Sequence, residues 1–404
     1  MPLRPGGRTM EAMRILFAPD KFKGSLSAAE AAEAMRRGWL RGWPGCATAI
    51  QPVADGGDGT LEAVAAAGGG ERLSATARDA RGRPREVSWM WDAAARTAWI
   101  ESSLVIGLAP LAAEDRQPLT ATSAGLGDIF RAAAEEGAER IILALGGSAT
   151  NDAGCGLAAA TGFRFCDAQG EAFDPLPSNL HRLARIECPD APHFPEVLGL
   201  VDVNNPLLGP DGASRVYGPQ KGAGPREVAT MEEALARVAE IARRDLGAPE
   251  PSAAGAGAAG GLGYGIMAFF GGRLQPGFDT IAEITGLPQA IAQCDVVLTG
   301  EGRLDRQTAA GKAPDGVARL ARHYGKQIIA LAGAAPGGAG DHGAFDAVVP
   351  ITDEPMDLAQ AMASAGPLLE AATARVARLI RLGHDLRGGA AVFPQACPAD
   401  LRGE

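Results

Sequence analysis

The chain has 404 residues, enough for two or three domains that each bury a core, and its 46% hydrophobic and 21% charged residues fit a globular protein rather than a disordered one. A net charge of −10 argues against nucleic acid or an anionic membrane as the main partner, so an anionic ligand would need basic residues of its own nearby. No apolar run approaches the ~18 residues of a membrane span, and the six cysteines (Cys46, Cys155, Cys166, Cys188, Cys294, Cys397) hold no C-x-x-C pair or zinc spacing, which leaves reduced thiols and a cytoplasmic enzyme as the expectation.

Residues 1–12 are rich in Arg, Gly and Pro and lack the apolar stretch of a signal peptide, and Met13 stands directly before the first strand, so they read as an extension. Arg14–Ala18 is a short buried strand that ends in Pro19-Asp20-Lys21-Phe22-Lys23-Gly24. Ser27 and Glu30 form a capping box that opens a helix to about Leu40. Thr48–Val53 alternates as a second strand and ends in Ala54-Asp55-Gly56-Gly57-Asp58-Gly59-Thr60 before another helix. Both βα units thus finish on a charged or glycine-rich loop at the carboxyl end of a strand, the edge where open α/β sheets bind ligands.

The character changes after Gly68. Glu86–Trp91 with Thr97–Glu101 reads as an antiparallel hairpin, and Phe163–Phe165 with Glu171–Phe173 as another, with a helix Ser123–Glu136 between them. The central stretch is Ile141–Gly156: an apolar strand Ile141–Leu145, a turn at Gly146–Gly147, then Ser148, Thr150, Asn151 and Asp152 at the start of a helix Asp152–Thr161. A strand entering a helix through glycines and hydroxyls points backbone N–H groups at one spot, which suits a phosphate. Asp152 fits there if a divalent cation lies between it and the phosphate, or if it accepts a substrate proton. The plainer alternative is a tight turn capped by Asn or Asp.

Val197–Val201 is a strand running into Asp202, followed by Gly218-Pro219-Gln220-Lys221-Gly222-Ala223, a charged helix from Pro225 to Leu246, and a glycine-rich loop 255–263 that leads into an apolar helix. Asp295–Thr299 is a strand ending in Gly300-Glu301-Gly302-Arg303-Leu304-Asp305. A helix Pro314–Tyr324, strands Gln327–Leu331 and Ala347–Ile351, and a long helix Met356–Ile380 follow. The first segment has two strands and the last has three, and only together do they make a good sheet. The expected architecture is therefore α/β: a doubly wound, flavodoxin- or Rossmann-like parallel-sheet domain (13–75 plus 286–382) interrupted by a mixed α/β inserted domain (76–285), with 1–12 and 383–404 as flexible extensions.

The usual nucleotide fingerprints are missing. No G-x-G-x-x-G follows the first strand, and Gly311-Lys312 is not a P-loop, because Arg306 replaces its first glycine and Ala313 its Ser/Thr. What the loops do offer together is backbone N–H groups and Lys/Arg for phosphates, with carboxylates for Mg²⁺ and an attacking hydroxyl, the combination that phosphoryl transfer needs.

Seven motifs occur in order: Ala18-Pro19-Asp20-x-Phe22-Lys23, Ala54-Asp55-Gly56-Gly57-x-Gly59-Thr60, Gly146-Gly147-Ser148-Ala149-Thr150-x-Asp152, Asp202-Val203-x-Asn205-Pro206-Leu207, Gly218-Pro219-Gln220-Lys221-Gly222-Ala223, Gly257-Ala258-Ala259-Gly260-Gly261-Leu262-Gly263 and Thr299-Gly300-Glu301-Gly302-Arg303-x-Asp305-x-Gln307-Thr308. Over about residues 13–380 this series resembles the bacterial type I glycerate kinases. Val201 stands where that family often has Cys, and Ala153 where a glycine often follows Asp152.

The resemblance implies phosphorylation of D-glycerate, to 2-phosphoglycerate in preference to 3-phosphoglycerate, with ATP and Mg²⁺ as cofactors, in a cleft between two domains. D-glycerate is then the small-molecule partner, with no nucleic acid or membrane, and a homodimer stays open. On that reading Asp20, Lys23, Asp202, Lys221 and Arg303 are catalytic candidates. Gly56, Gly57, Gly146, Gly147, Ser148, Thr150, Gly260, Gly261, Gly300 and Gly302 would meet the nucleotide or its phosphates, and Asp55, Asp152, Glu301 and Asp305 the metal. Lys23 or Arg303 would pair with the glycerate carboxylate, and Asp202 or Asp20 would take the hydroxyl proton. The rivals are a kinase for another small hydroxy acid or sugar acid, and a non-catalytic metabolite-binding module. The abundance of carboxylates argues against the second, because simple anion binding prefers positive charge.

Overall fold

The computed structural model describes residues 13–190, 194–304, 313–335 and 343–388. Its strands are, in chain order, β1 (Arg14–Phe17), β2 (Ala47–Ile50), β3 (Glu71–Arg78), β4 (Pro84–Asp92), β5 (Thr97–Glu101), β6 (Arg140–Ala144), β7 (Arg164–Cys166), β8 (Arg185–Glu187), β9 (Glu196–Val201), β10 (Arg273–Pro276), β11 (Val296–Arg303), β12 (Gln327–Ala334) and β13 (Ala347–Pro350).

Five of them form an all-parallel sheet in the order β2-β1-β11-β12-β13. Numbered along the chain this is 2-1-3-4-5, the flavodoxin-like order, which reverses direction between β1 and β11. The pleat sends alternate side chains to opposite faces. Ile15 and Phe17 pack with Trp39 and Leu369, from the helices Ala28–Gly42 and Ala365–Gly388. Leu16 and Ala18 pack on the other side with Leu287 and Val317, from Leu287–Gln293 and Ala313–His323. Helices therefore cover both faces, as a doubly wound sheet requires. The expected capping box is present: Ser27 Oγ accepts from Glu30 N–H, and Glu30 accepts from Ser27 N–H at 2.8 Å.

The second large sheet runs β10-β9-β6-β5-β4-β3, parallel from β10 to β5 and antiparallel from β5 to β3. Ile141 and Leu143 pack against the helices Ala124–Glu135 and Ala258–Phe270. Ile142, Trp99 and Leu200 face the opposite way, onto the helix Thr60–Ala66. A further core around Phe165, Leu235 and Tyr264 seats the helix Pro225–Leu246. Among the described residues no helix is long and apolar enough to cross a membrane.

Several expectations need correction. The hairpin of β4 and β5 is present, and β7 also meets 171–173, through an antiparallel bridge between Cys166 and Ala172 and a hydrogen bond from Phe173 N–H to Phe165 O at 3.0 Å. What was not expected is β8, which pairs with the other edge of β7 and sets buried Phe165 opposite buried Ile186. Strands β3 and β10 have no clear apolar signature in the sequence because they are sheet edges whose residues are mostly exposed or half-buried. The helix expected at 356–380 is two, Leu358–Ala363 and Ala365–Gly388, and the second carries regular structure past Gly383 into the supposed loose tail. The segments that join the two sheets pack on both: Leu61 and Val64 share a core with the six-stranded sheet, while the helix Gly277–Ile284 puts Phe278 and Ala282 into a core of the five-stranded sheet and Ile281 into the core with Leu61. Where these segments meet the two backbones touch: Gly56 has φ 91°, and a Cβ built on it would lie 2.6 Å from Gly277 Cα.

Candidate active site

The carboxyl ends of strands from both sheets converge. Asp20 follows β1, Asp55 follows β2, and Glu301, Gly302 and Arg303 close β11, while Gly146 and Gly147 follow β6 and Asp202 follows β9. All of them line one cavity of 630 Å³, together with Lys21, Lys23, Gly57 and Asp58. Its apolar lining includes Ala334, Ile351, Leu358 and Met362. A second cavity of 350 Å³ shares Lys23, Asp58, Gly146, Gly147 and Asp202 with the first and adds Arg116, Ser148, Tyr217 and Lys221. Loops widely separated in sequence thus meet at the topological switch point of the five-stranded sheet.

The charges there are unusual. Asp20 is only 5% exposed, and its N–H donates to Gly300 O at 2.9 Å, which ties the β1 loop to β11. Burial pushes its carboxyl up to about 6; Lys21 opposes that rise and Asp55 adds to it. Lys21 Nζ lies 3.7 Å from Asp20 Oδ1 and donates to Asp58 O at 2.9 Å. Burial works against the Lys21 ammonium, yet Asp20, Asp55, Asp58 and Glu101 together hold its pKa above the ordinary lysine value. Lys221, 3% exposed, donates to Thr150 O at 2.6 Å and to Ser148 Oγ at 3.3 Å. Burial lowers its pKa to about 7, with Asp152 pulling the other way.

Of the expected catalytic residues, Asp20, Lys23, Asp202 and Arg303 border the larger cavity, and Lys23, Asp202 and Lys221 the smaller one. Gly57, Gly146, Gly147, Ser148 and Gly302 also line one or the other, as do Asp55 and Glu301. Asp305 lies outside the described residues.

Asp152 is corrected. Its carboxylate is fully buried and accepts from Ser123 N–H (2.8 Å), Ser123 Oγ–H (2.8 Å), Gly154 N–H (3.1 Å) and Gly156 N–H (3.2 Å), and it lines neither cavity. It stands two residues before Gly154, the N-cap of the helix Cys155–Ala160, and takes the N–H groups of Gly154 and Gly156, so these two do not point at a phosphate. The other glycine loop is corrected in the same way. Glu101, at the end of β5, accepts from Gly59 N–H (3.1 Å) and Leu61 N–H (3.2 Å), and so caps the helix Thr60–Ala66. Gly56, Thr150, Gly260, Gly261 and Gly300 line neither cavity. They hold loops together: Gly260 O accepts from Ala153 N–H at 3.2 Å, and Thr150 O anchors Lys221. Ala153, where the resembling family often has glycine, adopts φ 51°, a left-handed conformation that a Cβ disfavours.

Lys21, Asp58, Glu101 and Arg116 were not expected as functional. Lys21 and Asp58 sit inside two of the strand-end loops, beside Asp20 and Asp55. Glu101 and Arg116 belong to no motif, and only the fold brings them near the site. Among the described residues no three His, Cys, Asp or Glu side chains form a ready cage for a metal.

Residues 15–381 match the model of the glycerate kinase family. The chain is 40% identical over 324 residues to the glycerate 2-kinase of Escherichia coli (strain K12), covering 80% of this chain and 85% of that one. It is 39% identical over 369 residues to the glycerate kinase of Halalkalibacterium halodurans, covering 90% and 97%. Among solved structures, the crystal structure of a protein assigned as glycerate kinase 2 from Salmonella typhimurium LT2 is similar with a TM-score of 0.80 and 37% identity, covering 93% of this chain and 100% of that chain.

Proposed function

The chain belongs to the glycerate kinase family, whose members phosphorylate an alcohol group, and from that premise we propose that it transfers the γ-phosphoryl group of ATP to the 2-hydroxyl of D-glycerate with the help of Mg²⁺. The observation that supports this best is the pair of joined cavities, one large with a partly apolar lining and one small, meeting where Lys23, Asp58 and Asp202 stand together. In this reading the two sheets are two lobes, and closing them excludes water.

The nucleotide occupies the larger cavity with its base against Ile351, Leu358 and Met362. Lys21, Lys23 and Arg303 face its phosphates, which makes side-chain cations do the work that the capped helix N-termini cannot. The acid occupies the smaller cavity. Asp202 borders both, whereas Asp20 borders only the larger, so Asp202 is placed to accept the hydroxyl proton as the oxygen attacks phosphorus and ADP departs.

The carboxylates also suit a magnesium ion, which takes one or two of them and completes its shell with phosphate oxygens and water. Asp58 Oδ1 is buried and meets no hydrogen-bond donor among the described residues, and Asp55 and Glu301 line the same wall. Asp55, Asp58 and Glu301 would hold the ion, which when bound offsets the negative charge of the phosphates. A cytoplasmic location belongs to the same proposal and fits the free thiols of Cys155, Cys166 and Cys294.

Incubating the purified protein with ATP, Mg²⁺ and D-glycerate, then locating the phosphate by NMR, tests this reading. Phosphate on the second carbon is expected. ADP release with some other hydroxy acid but none with D-glycerate would refute it.

A further inference from the structure

We infer that Arg116 and Lys221 together recognise the carboxylate of the acceptor in the smaller cavity, and that Gly222 holds the two cations side by side. The inference rests on the reading that a small hydroxy acid is the acceptor, and it replaces Lys23 and Arg303 in that role.

Among the described residues Arg116 has no counter-ion. Its chain neighbour Asp115 is taken by Arg83 at 3.1 Å. Arg116 Nε is buried and meets no acceptor among the described residues, although the side chain borders the smaller cavity. Many other arginines of the fold pair closely with carboxylates, as Arg78 does with Asp128 at 2.8 Å. A part-buried guanidinium with no acceptor is costly unless a ligand supplies one. Lys221 stands on the same wall and uses two of its three donors, on Thr150 O and Ser148 Oγ, which leaves one for a ligand.

The two residues are far apart in sequence, and a glycine joins them. Gly222 has φ 96°, and a Cβ there would lie 2.9 Å from Arg116 O and 3.1 Å from Arg116 Cβ. Any other side chain would crowd the Arg116 backbone, so the glycine lets the Arg116 segment pack directly against the residue after Lys221. This gives the Lys221-Gly222 pair a purpose that a surface turn would not have.

The remaining walls fix the orientation. Asp58 and Asp202 also line the cavity and repel a carboxylate. An acid therefore turns its carboxylate toward Arg116 and Lys221 and its hydroxyl toward Asp202. A volume of 350 Å³ leaves room for an acid of three or four carbons. Lys23 and Arg303 are exposed, and Arg303 borders only the larger cavity, so both are better placed for phosphates.

The test compares the wild type with Arg116→Met and Arg116→Lys, each checked for folding by circular dichroism. With D-glycerate, Arg116→Met should raise KM about ten- to a hundredfold, the worth of a charged hydrogen bond, while KM for ATP stays unchanged. The wild type should favour D-glycerate over D-glyceramide, and that preference should collapse in Arg116→Met, which a purely structural role would not cause. Arg116→Lys should fall between the two, since it keeps the charge and loses the planar fork. An unchanged KM for D-glycerate in folded Arg116→Met, or equal losses for acid, amide and ATP, overturns the inference. Calorimetric binding of D-glycerate, lactate and tartronate without nucleotide separates it from the broader reading. If the wild type fails to phosphorylate D-glycerate yet binds one of these acids through Arg116, the proposed function falls and this inference stands. If the wild type binds none of them, the inference falls.

Discussion

Replacing Lys221 by methionine removes an ammonium from the interior and keeps an apolar chain of similar length. The lysine is fully enclosed, and burial brings its pKa from 10.5 down to about 7 against the pull of Asp152. At ~1.36 kcal/mol per pKa unit, keeping this amine costs the folded state about 5 kcal/mol at pH values below 7. Methionine removes that cost but strips a donor from Thr150 O and Ser148 Oγ, which returns about 2–4 kcal/mol. The net expectation is a variant about 1–3 kcal/mol more stable than the wild type at pH 6, with turnover reduced at least a hundredfold. The pH dependence carries the sharper test. Because the folded-state pKa lies below the unfolded one, the unfolded chain binds more protons between pH 7 and 10.5, so wild-type stability rises with pH across that window. Lys221→Met should lack this rise, and its advantage should shrink as pH climbs. Melting temperatures of both proteins from pH 6 to pH 9.5, beside turnover at one pH, measure this. A difference in Tm that stays constant with pH, or a variant less stable at pH 6, would refute the reasoning.

Asp20→Asn should lower turnover about tenfold or more with the fold intact, because the Asp20 carboxylate lies 3.7 Å from Lys21 Nζ and holds that cation where it faces the phosphates. Since the Asp20 carboxyl sits at about 6, wild-type kcat/KM should fall as pH drops through that value; near-normal turnover in the variant would contradict the site assignment. The same shift makes the folded state bind more protons than the unfolded one between pH 3.8 and about 6, so it contributes a loss of stability as pH rises through that window, which the variant should not show. Asp152→Ala should cost about 2–4 kcal/mol in urea denaturation, because three N–H groups and a hydroxyl lose a buried acceptor. Its Mg²⁺ requirement should stay unchanged; a stable variant needing far more Mg²⁺ would restore Asp152 as a metal ligand. Ala153→Gly should relieve the left-handed backbone at that position and gain up to about 1 kcal/mol, read as a small rise in Tm. A fall would mean that the Ala153 methyl packs for more than its strain costs.

The sequence made the central strands of the five-stranded sheet legible because each contains a compact apolar run. Ile15, Leu16 and Phe17 must all be buried when helices cover both faces, and no polar alternation obscures them. The edge strands of the six-stranded sheet were not legible for the opposite reason: β10 reads Arg-Leu-Gln-Pro and buries little. At the site, loops at strand ends could be picked out by their glycines and acids, and most of their charged residues do face the cavities. What could not be read was which acids face inward. Asp152 and Asp55 look alike in sequence, yet one satisfies backbone amides and the other lines a cavity. Nor could Glu101 and Arg116 be found, since neither lies in a recognisable pattern and each is brought to the site by a different segment.

The acids therefore divide into two groups with different physical tasks. Asp152 and Glu101 spend their carboxylates on the N–H groups of helix starts, which fixes the glycine loops but closes both helix N-termini to phosphate. Asp20, Asp55, Asp58 and Asp202 turn toward open space, with Lys21 and Lys23 among them. Changing the first group should move stability and leave the chemistry of the remaining folded protein intact. Changing the second should move turnover, with stability unchanged or improved, because charges facing a cavity without a ligand are held there at a cost. A variant set that failed to divide along this line would mean that the loops are positioned by the ligand itself, not by the buried carboxylates beneath them.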